Sequence, residues 1–281
     1  MNGSKRWGLR LKGAMMNGSA VGAQHAAPLR SSAEVPIGDA AVPRVELADW
    51  AVRYGLVAGV TTRGVGPAPF SLGLWSDEPV GHVFSRWRAF RAAFAPRFPT
   101  LVLSHQVHGN VVQWHETLPE GWLVLDGFDG HATTDRGTLL TVTVADCIPV
   151  YLAVPQKGAI ALLHAGWRGA AAGVLGRGVE LLKWRGFAKG SDIVMHCGVG
   201  ICGACYEVGS EVATCFGLPA SATPVPLDLR AILARQAREL GIEEVSISPW
   251  CSAHDRDGFF SHRASGGRDG RMVAYLGRPK A

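Results

Sequence analysis

No stretch of the 281 residues stays apolar over the roughly 18–20 positions that a bilayer-spanning helix requires. The basic N-terminus likewise lacks the continuous apolar segment of a signal peptide. A helical membrane protein is excluded on this reading, and a cytoplasmic location is expected. Charge is scarce: Asp, Glu, Lys and Arg are 18% of residues against 47% hydrophobic ones, which excludes a disordered chain and predicts a sizeable core. Cysteine is too scarce for a disulfide framework, with Cys147, Cys197, Cys202, Cys205, Cys215 and Cys251 as the full set. Reduced thiols are expected. Internal repeats, low-complexity core segments and any linker that would split the folded part are absent as well.

What charge there is lies unevenly. The formal net charge is +5. Residues 1–44 hold Lys5, Arg6, Arg10, Lys12, Arg30 and Arg44 against Glu34 and Asp39, a net of +4. The remaining chain is about +1, which does not mark a nucleic-acid surface. The first 44 residues are rich in Gly, Ala and Ser without hydrophobic periodicity, and read as a mobile basic leader. Order is expected from about Val45, with residues 45–281 forming a single domain.

Apolar β-branched runs predict strands over 56–61, 100–104, 110–114, 139–145, 148–154, 159–163, 192–196, 245–248 and 272–276. A helix is expected after Pro79, with Ser76 and Asp77 as cap residues and Val80, Val83, Phe84, Trp87, Phe90 and Phe94 as its buried stripe. Val174, Leu175, Val179 and Leu182 mark a second helix. Asp228 caps a third, with Leu229, Ile232, Leu233, Gln236 and Leu240 along one side. The strands cluster in runs as well as alternating with helices, so the expected class is α+β rather than a doubly wound sheet.

Three islands carry candidate chemistry: Ser-His-Gln-Val-His-Gly at 104–109, Ala-Asp-Cys-Ile-Pro-Val at 145–150 and His-Ala-Gly-Trp-Arg-Gly at 164–169. Each sets a soft or borderline metal ligand beside a strand end. Two neighbouring strands ending together would bring Cys147 and His164 to one rim, and His108 sits in a turn beside Gly109. Two imidazoles and one thiolate suit Zn²⁺ first and copper second. Three protein ligands leave a tetrahedral position open, as in catalytic zinc sites. The separations match no local zinc-finger pattern, so spacing alone does not establish convergence. A cysteine after a strand is also a common buried small side chain, and a histidine there commonly packs or faces solvent.

A rival cluster follows. Cys197-x4-Cys202-x2-Cys205 has the opening spacing of a plant-type [2Fe–2S] loop, with Cys215 or Cys251 as the candidate fourth ligand. No ferredoxin-like arrangement of strands surrounds it.

The three islands, with Thr61-Thr62-Arg63, Cys205-Tyr206-Glu207-Val208-Gly209 and Phe259-Phe260-Ser261-His262-Arg263, resemble the laccase-domain family, whose members are described as polyphenol oxidases or multifunctional purine nucleoside phosphorylases. The resemblance runs in order over roughly residues 55–278. It departs from the usual pattern at Asp129-Gly130-His131-Ala132-Thr133, at Gly198–Cys202 and at His262. It implies a four-layer α/β/β/α sandwich with mixed sheets, and His108, Cys147 and His164 as zinc ligands of the catalytic centre. It also implies phosphorolysis of adenosine, inosine, guanosine or methylthioadenosine to free base and (methylthio)ribose 1-phosphate, with accompanying adenosine deamination. Zinc is then expected to activate phosphate in the first reaction and water in the second.

Such an enzyme must hold phosphate and a ribosyl group. Arg63, Arg168 and Arg263 lie in loops beside the motifs and are candidates for phosphate contact, each with a structural ion pair as the alternative. His105 reads as a general base, an orienting partner or a rim residue. Asp146 reads as the orienter of a ligand imidazole or as a turn cap. Trp167 either stacks on a purine or packs in the core. The expected partners are purine nucleosides and inorganic phosphate, for a monomer or homodimer. A copper-dependent phenol oxidase is the second reading, weakened because the histidines are scattered through unrelated segments. A non-enzymatic metal-binding protein is the third.

Overall fold

The computed structural model describes residues 30–31, 34–38, 41–65, 68–186 and 189–280. The fold mixes helices with two seven-stranded sheets and one two-stranded sheet. The first large sheet runs Arg30–Ser31, Glu244–Ile247, Val194–Cys197, Ile148–Val154, Ala159–Ala165, Gly130–Thr133, Val112–His115 in spatial order. The second runs Glu34–Ile37, Arg44–Leu47, Val57–Thr61, Met272–Gly277, Thr138–Val144, Thr100–His105, Gly121–Asp126. Both contain parallel and antiparallel pairs.

Strand alternation divides the central side chains between separate cores. All of Ile148–Val154 is buried, as befits a strand covered on both faces. Ile148, Val150, Leu152 and Val154 join a core with Val174, Leu175, Val179, Leu182, Leu229 and Leu233 of the helices Val174–Trp184 and Leu229–Glu239. Tyr151 and Ala153 point the other way, into a core filled by both sheets, where Ile160 and Leu162 join Leu140 and Val142. A third core packs the helix Val80–Phe94 on the second sheet through Val83, Trp87, Phe90 and Phe94.

The expected stripe of that last helix is too wide: Val80 and Phe84 are exposed. Its N-cap is Pro79, and neither Ser76 nor Asp77 caps it; Ser76 Oγ instead donates to the Gly73 carbonyl at 2.8 Å. Asp228 does cap its helix, accepting from the N–H groups of Arg230 and Ala231 at 2.9 and 3.1 Å, which contributes about 1 kcal/mol. Two strands, Gly121–Asp126 and Gly130–Thr133, were not expected. The first, a partly exposed edge, has an apolar run Trp122–Leu125 that sequence reasoning passed over, and the second holds Gly130 and His131, which interrupt any apolar run.

Order also begins earlier than Val45. Residues 1–29 of the expected leader lie outside the described residues, but Glu34–Ile37 pairs with Arg44–Leu47. Glu34 is buried. Its carboxylate accepts from Ser248 Oγ and lies 3.3 Å from His196 Nε2. Among the described residues no helix is long and apolar enough to cross a membrane.

One feature of this topology positions the site. The chain passes from the second sheet to the first between Thr100–His105 and Val112–His115. It does so again through the three residues 145–147, between Thr138–Val144 and Ile148–Val154.

Candidate functional site

These two crossings carry His108 and Cys147, and the end of the Ala159–Ala165 strand carries His164. The ligand atoms of all three lie within 4.8 Å of one another. The site is therefore fixed by how the two sheets meet rather than by any local sequence spacing.

The backbone at the crossings is unusual. Among the described residues, His108 and Asp146 are the non-glycine residues with positive φ, at 59° and 82°. Such conformations cost free energy and persist when the surroundings over-determine them. At His108 the determinant is Asp129, fully buried. Its carboxylate accepts the backbone N–H groups of Val107, His108 and Gly109 at 3.2, 3.0 and 2.7 Å. The same carboxylate binds His164 Nδ1 at 2.8 Å, which leaves Nε2 for the site. Asp129 thus orients one imidazole and shapes the turn bearing the other, the arrangement of a carboxylate behind a ligand histidine. Sequence reasoning offered this role to Asp146, with a turn cap as the alternative, and missed Asp129, although residues 129–133 stood out as a departure from the family pattern.

Asp146 does something else. Its carboxylate accepts Ser252 Oγ at 2.6 Å, Ser261 Oγ at 2.7 Å and the Arg263 N–H at 2.6 Å. It ties the Cys147 crossing to the closing segments of the chain and makes no bond to the imidazole of His108 or His164.

The electrostatics favour a thiolate at Cys147, with the balancing proton on His164 to be released when a metal binds. Burial would push the Cys147 thiol up, but the His164 imidazole and a hydrogen bond from His108 bring it down to about 6. Burial would push His164 down, but the Cys147 sulfur and Asp129 raise it to about 9. Burial also opposes ionisation of Asp129, yet His164 and the N–H groups of Gly109 and Val107 hold its carboxyl below the ordinary value. A thiolate is the ligating form of cysteine. Space is present too: a Cβ added at Gly166 would lie 3.0 Å from Cys147 Sγ and 3.1 Å from His108 Cδ2. Donor set and space together fit a metal ion.

The three residues open into a cavity of about 520 Å³, a size suited to a small-molecule ligand. Its wall includes Trp75, Gln106, Tyr206, His262 and Arg271 besides residues expected from the sequence, Trp167 among them. His105 lines it, with its ring 4.7 Å from that of Trp75 and Nδ1 2.9 Å from Asp126. Arg168 lines it, stacked over Trp167 at 4.3 Å. Arg263 lines it, over Tyr206 at 4.9 Å, and donates to the Glu207 carbonyl at 2.6 Å. Arg63 does not line it. Its guanidinium is held by both oxygens of Asp269 at 2.6 Å and by the Arg256 carbonyl at 3.0 Å, over the Phe260 ring.

The rival cysteine run is divided. Cys197 is fully buried in the core under the helices, and burial pushes its thiol up to about 12. Cys215 is exposed on the short helix Ser210–Thr214, as its C-cap residue. All six cysteines are free thiols.

Comparison with known proteins finds relatives over most of the chain. The multi-copper polyphenol oxidoreductase laccase family matches residues 57–279. The purine nucleoside phosphorylase YlmD of Geobacillus stearothermophilus is 32% identical, over 80% of this chain and 90% of that protein. A purine nucleoside phosphorylase of Deinococcus radiodurans is 34% identical, over 78% and 88%. The solved structure of the Geobacillus stearothermophilus YlmD covers 88% of this chain and 100% of that one, with a TM-score of 0.80. The structure of the Bacillus licheniformis hypothetical protein YfiH has a TM-score of 0.78 at 23% identity, over 86% and 98%, and shares the fold.

Proposed function

Because the chain belongs to the multi-copper polyphenol oxidoreductase laccase family, and relatives at 32–35% identity are named purine nucleoside phosphorylases, we propose that it cleaves purine nucleosides with inorganic phosphate. The observation that carries the reading is the convergence of His108, Cys147 and His164 at a cavity walled by arginines and aromatic rings. His108, Cys147 and His164 would hold a Zn²⁺, which supplies Lewis acidity at that end of the cavity.

The chain's own residues do the rest. Arg168, Arg263 and Arg271 offer charged donors for phosphate oxygens. Arg168 makes no ion pair among the described residues, so its guanidinium is free to bind an anion. Trp75 and Tyr206 present ring surface to the purine. A phosphate oxygen attacks the ribose anomeric carbon as its bond to the base nitrogen breaks. The bond pair leaves with the purine, and a proton completes the free base. His105, backed by Asp126, is the wall residue suited to exchanging that proton. Arg63 and Asp146 act indirectly, by fixing the segments that carry Arg263 and Cys147. With water as nucleophile at the purine carbon that bears the amino group, adenosine yields inosine and ammonia, the accompanying deamination. The succession helix, sheet, sheet, helix through the three cores fits the four-layer arrangement, and free thiols fit a reducing, cytoplasmic setting.

The test is incubation of pure protein with adenosine, inosine, guanosine and methylthioadenosine, with and without phosphate, followed by product identification and metal analysis. Phosphate-dependent release of base is the expected result. Cys147→Ala is expected to lose activity together with the metal held by His108 and His164, and full phosphorolysis by Cys147→Ala protein that lacks metal at that site would refute the proposal. Oxygen uptake with a phenol in place of base release would favour the copper oxidase reading.

A further inference from the structure

A second set of metal-ligand side chains lies outside the cavity. The ligand atoms of Cys202, Cys205, Cys251 and His254 all lie within 4.8 Å of one another. None of the four lines the cavity. They arrive as two short arms, Cys-x2-Cys at 202–205 and Cys-x2-His at 251–254, each presenting two ligands from one tight turn, as zinc-binding pairs do.

The turns are already shaped. The Cys205 N–H donates to the Cys202 carbonyl at 3.1 Å. The Cys251 N–H donates to Asp255 Oδ2 at 2.8 Å. Gly200 and Cys251 form a parallel β-bridge, and the Ser252 N–H donates to the Gly200 carbonyl at 3.1 Å, which fixes one arm against the other. Backbone N–H groups also face sulfur: that of Cys202 lies 3.3 Å from Cys251 Sγ. Such donors stabilise thiolate charge. Cys202 Sγ is 3.6 Å from His254 Nδ1, and none of the three thiols is engaged in a disulfide.

We propose that Cys202, Cys205, Cys251 and His254 hold a structural Zn²⁺, separate from the site formed by His108, Cys147 and His164. Three thiolates and one imidazole are a borderline-soft, four-coordinate set that zinc takes tetrahedrally, with no position left for substrate. Cys197, which the spacing had grouped with this run, faces the core on the far side of its strand and takes no part.

The location gives the ion a task. Ser252, between Cys251 and His254, donates to Asp146 Oδ1 at 2.6 Å. Ile201, next to Cys202, donates its N–H to the Asp146 carbonyl at 2.9 Å. The ion would staple together the two segments that hold the Asp146–Cys147 crossing from behind.

The experiment is metal counting on full-length protein purified without chelator. The cluster predicts that Cys147→Ala, which disables the cavity site, still retains about one zinc per chain. The same protein reconstituted with Co²⁺ is expected to show strong thiolate-to-cobalt absorption and tetrahedral visible bands. Adding Cys202→Ser and Cys251→Ser to it should abolish both. Cys147→Ala protein that carries no zinc and gives no thiolate–cobalt band overturns the proposal, as does a Cys202–Cys205 disulfide or iron–sulfur absorption in the isolated protein. Should the triple variant fail to fold, the cobalt spectrum of Cys147→Ala alone decides. These outcomes do not depend on nucleoside cleavage, so the phosphorylase reading can fail while the structural zinc stands.

Discussion

Substituting Asp129→Asn tests the carboxylate behind the cavity site with the least change of shape. Asp129 Oδ1 accepts from the His108 N–H and His164 Nδ1, and Oδ2 from the N–H groups of Val107 and Gly109. An asparagine keeps one acceptor oxygen. Placed at the Oδ2 position, that oxygen retains two backbone donors and sets an NH₂ where Oδ1 was. The His108 N–H then has no acceptor, which costs about 1–3 kcal/mol for a buried donor. The NH₂ also favours the His164 tautomer with its proton on Nε2, the nitrogen left for the metal. Losing an orienting partner of this kind lowers metal affinity about 10–100-fold, or about 1.4–2.7 kcal/mol. Zinc affinity by chelator competition should fall by that factor, with the melting temperature down by about 2–10 °C. Asp126→Asn is the control: it changes the exposed partner of His105 and should leave zinc affinity within twofold. If Asp129→Asn binds zinc as tightly as the native chain, the assignment of Asp129 as orienter of His164 and His108 is wrong.

The arginines should separate by assay. Arg63→Ala, which removes the contact of Nη2 with both oxygens of partly buried Asp269, should cost about 1–3 kcal/mol in denaturant unfolding and raise phosphate KM less than Arg168→Ala does. Arg168→Ala should raise phosphate KM about tenfold or more with little change in unfolding. Acid stability should depend on His115 and His131, whose rings meet at 3.1 Å between Nε2 and Nδ1 in the sheet interior. Burial holds His115 down to about 4, and burial with the neighbouring His115 holds His131 down to about 3. The folded protein keeps both neutral while the unfolded chain protonates below about 6.5, so their stabilisation is complete above that value and lost as pH falls towards 4. At pH 4.5 the loss is about 5 kcal/mol for the pair. Urea unfolding of native and His115→Gln/His131→Leu chains at pH 7 and 4.5 checks this; an equal acid loss in both would refute it.

Much of the fold could be read because the information was local. The helix capped by Asp228 and the continuous apolar run 148–154 announce themselves within a few residues. His108, Cys147 and His164 could be picked out because each stands at the end of such a run, and the family resemblance joined them. Asp129 could not be found this way. Its role exists only because the strand end bearing His164 and the 107–109 turn come from distant parts of the chain and meet at one carboxylate. Arg63 stayed open between phosphate contact and an ion pair for the reverse reason: it lies beside a motif in sequence, but Asp269, far along the chain, holds its side chain. Spacing also grouped Cys197 with Cys202 and Cys205, whereas strand alternation turns Cys197 inward and leaves the other two to meet residues 251 and 254. The Val80 and Phe84 positions show the same limit, since periodicity marks a face without fixing its width.

The buried Glu34 has a bearing on where this protein can be cut. Family similarity begins at residue 57, which invites trimming to that point. A chain so shortened would lose Glu34–Ile37 and Arg44–Leu47 from the second sheet. The apolar strand Val57–Thr61 would become an open edge, the kind of surface on which chains pair and aggregate. In the first sheet, His196 and Ser248 would lose the carboxylate they share. The point where the family model begins and the point where the two sheets begin are therefore different residues.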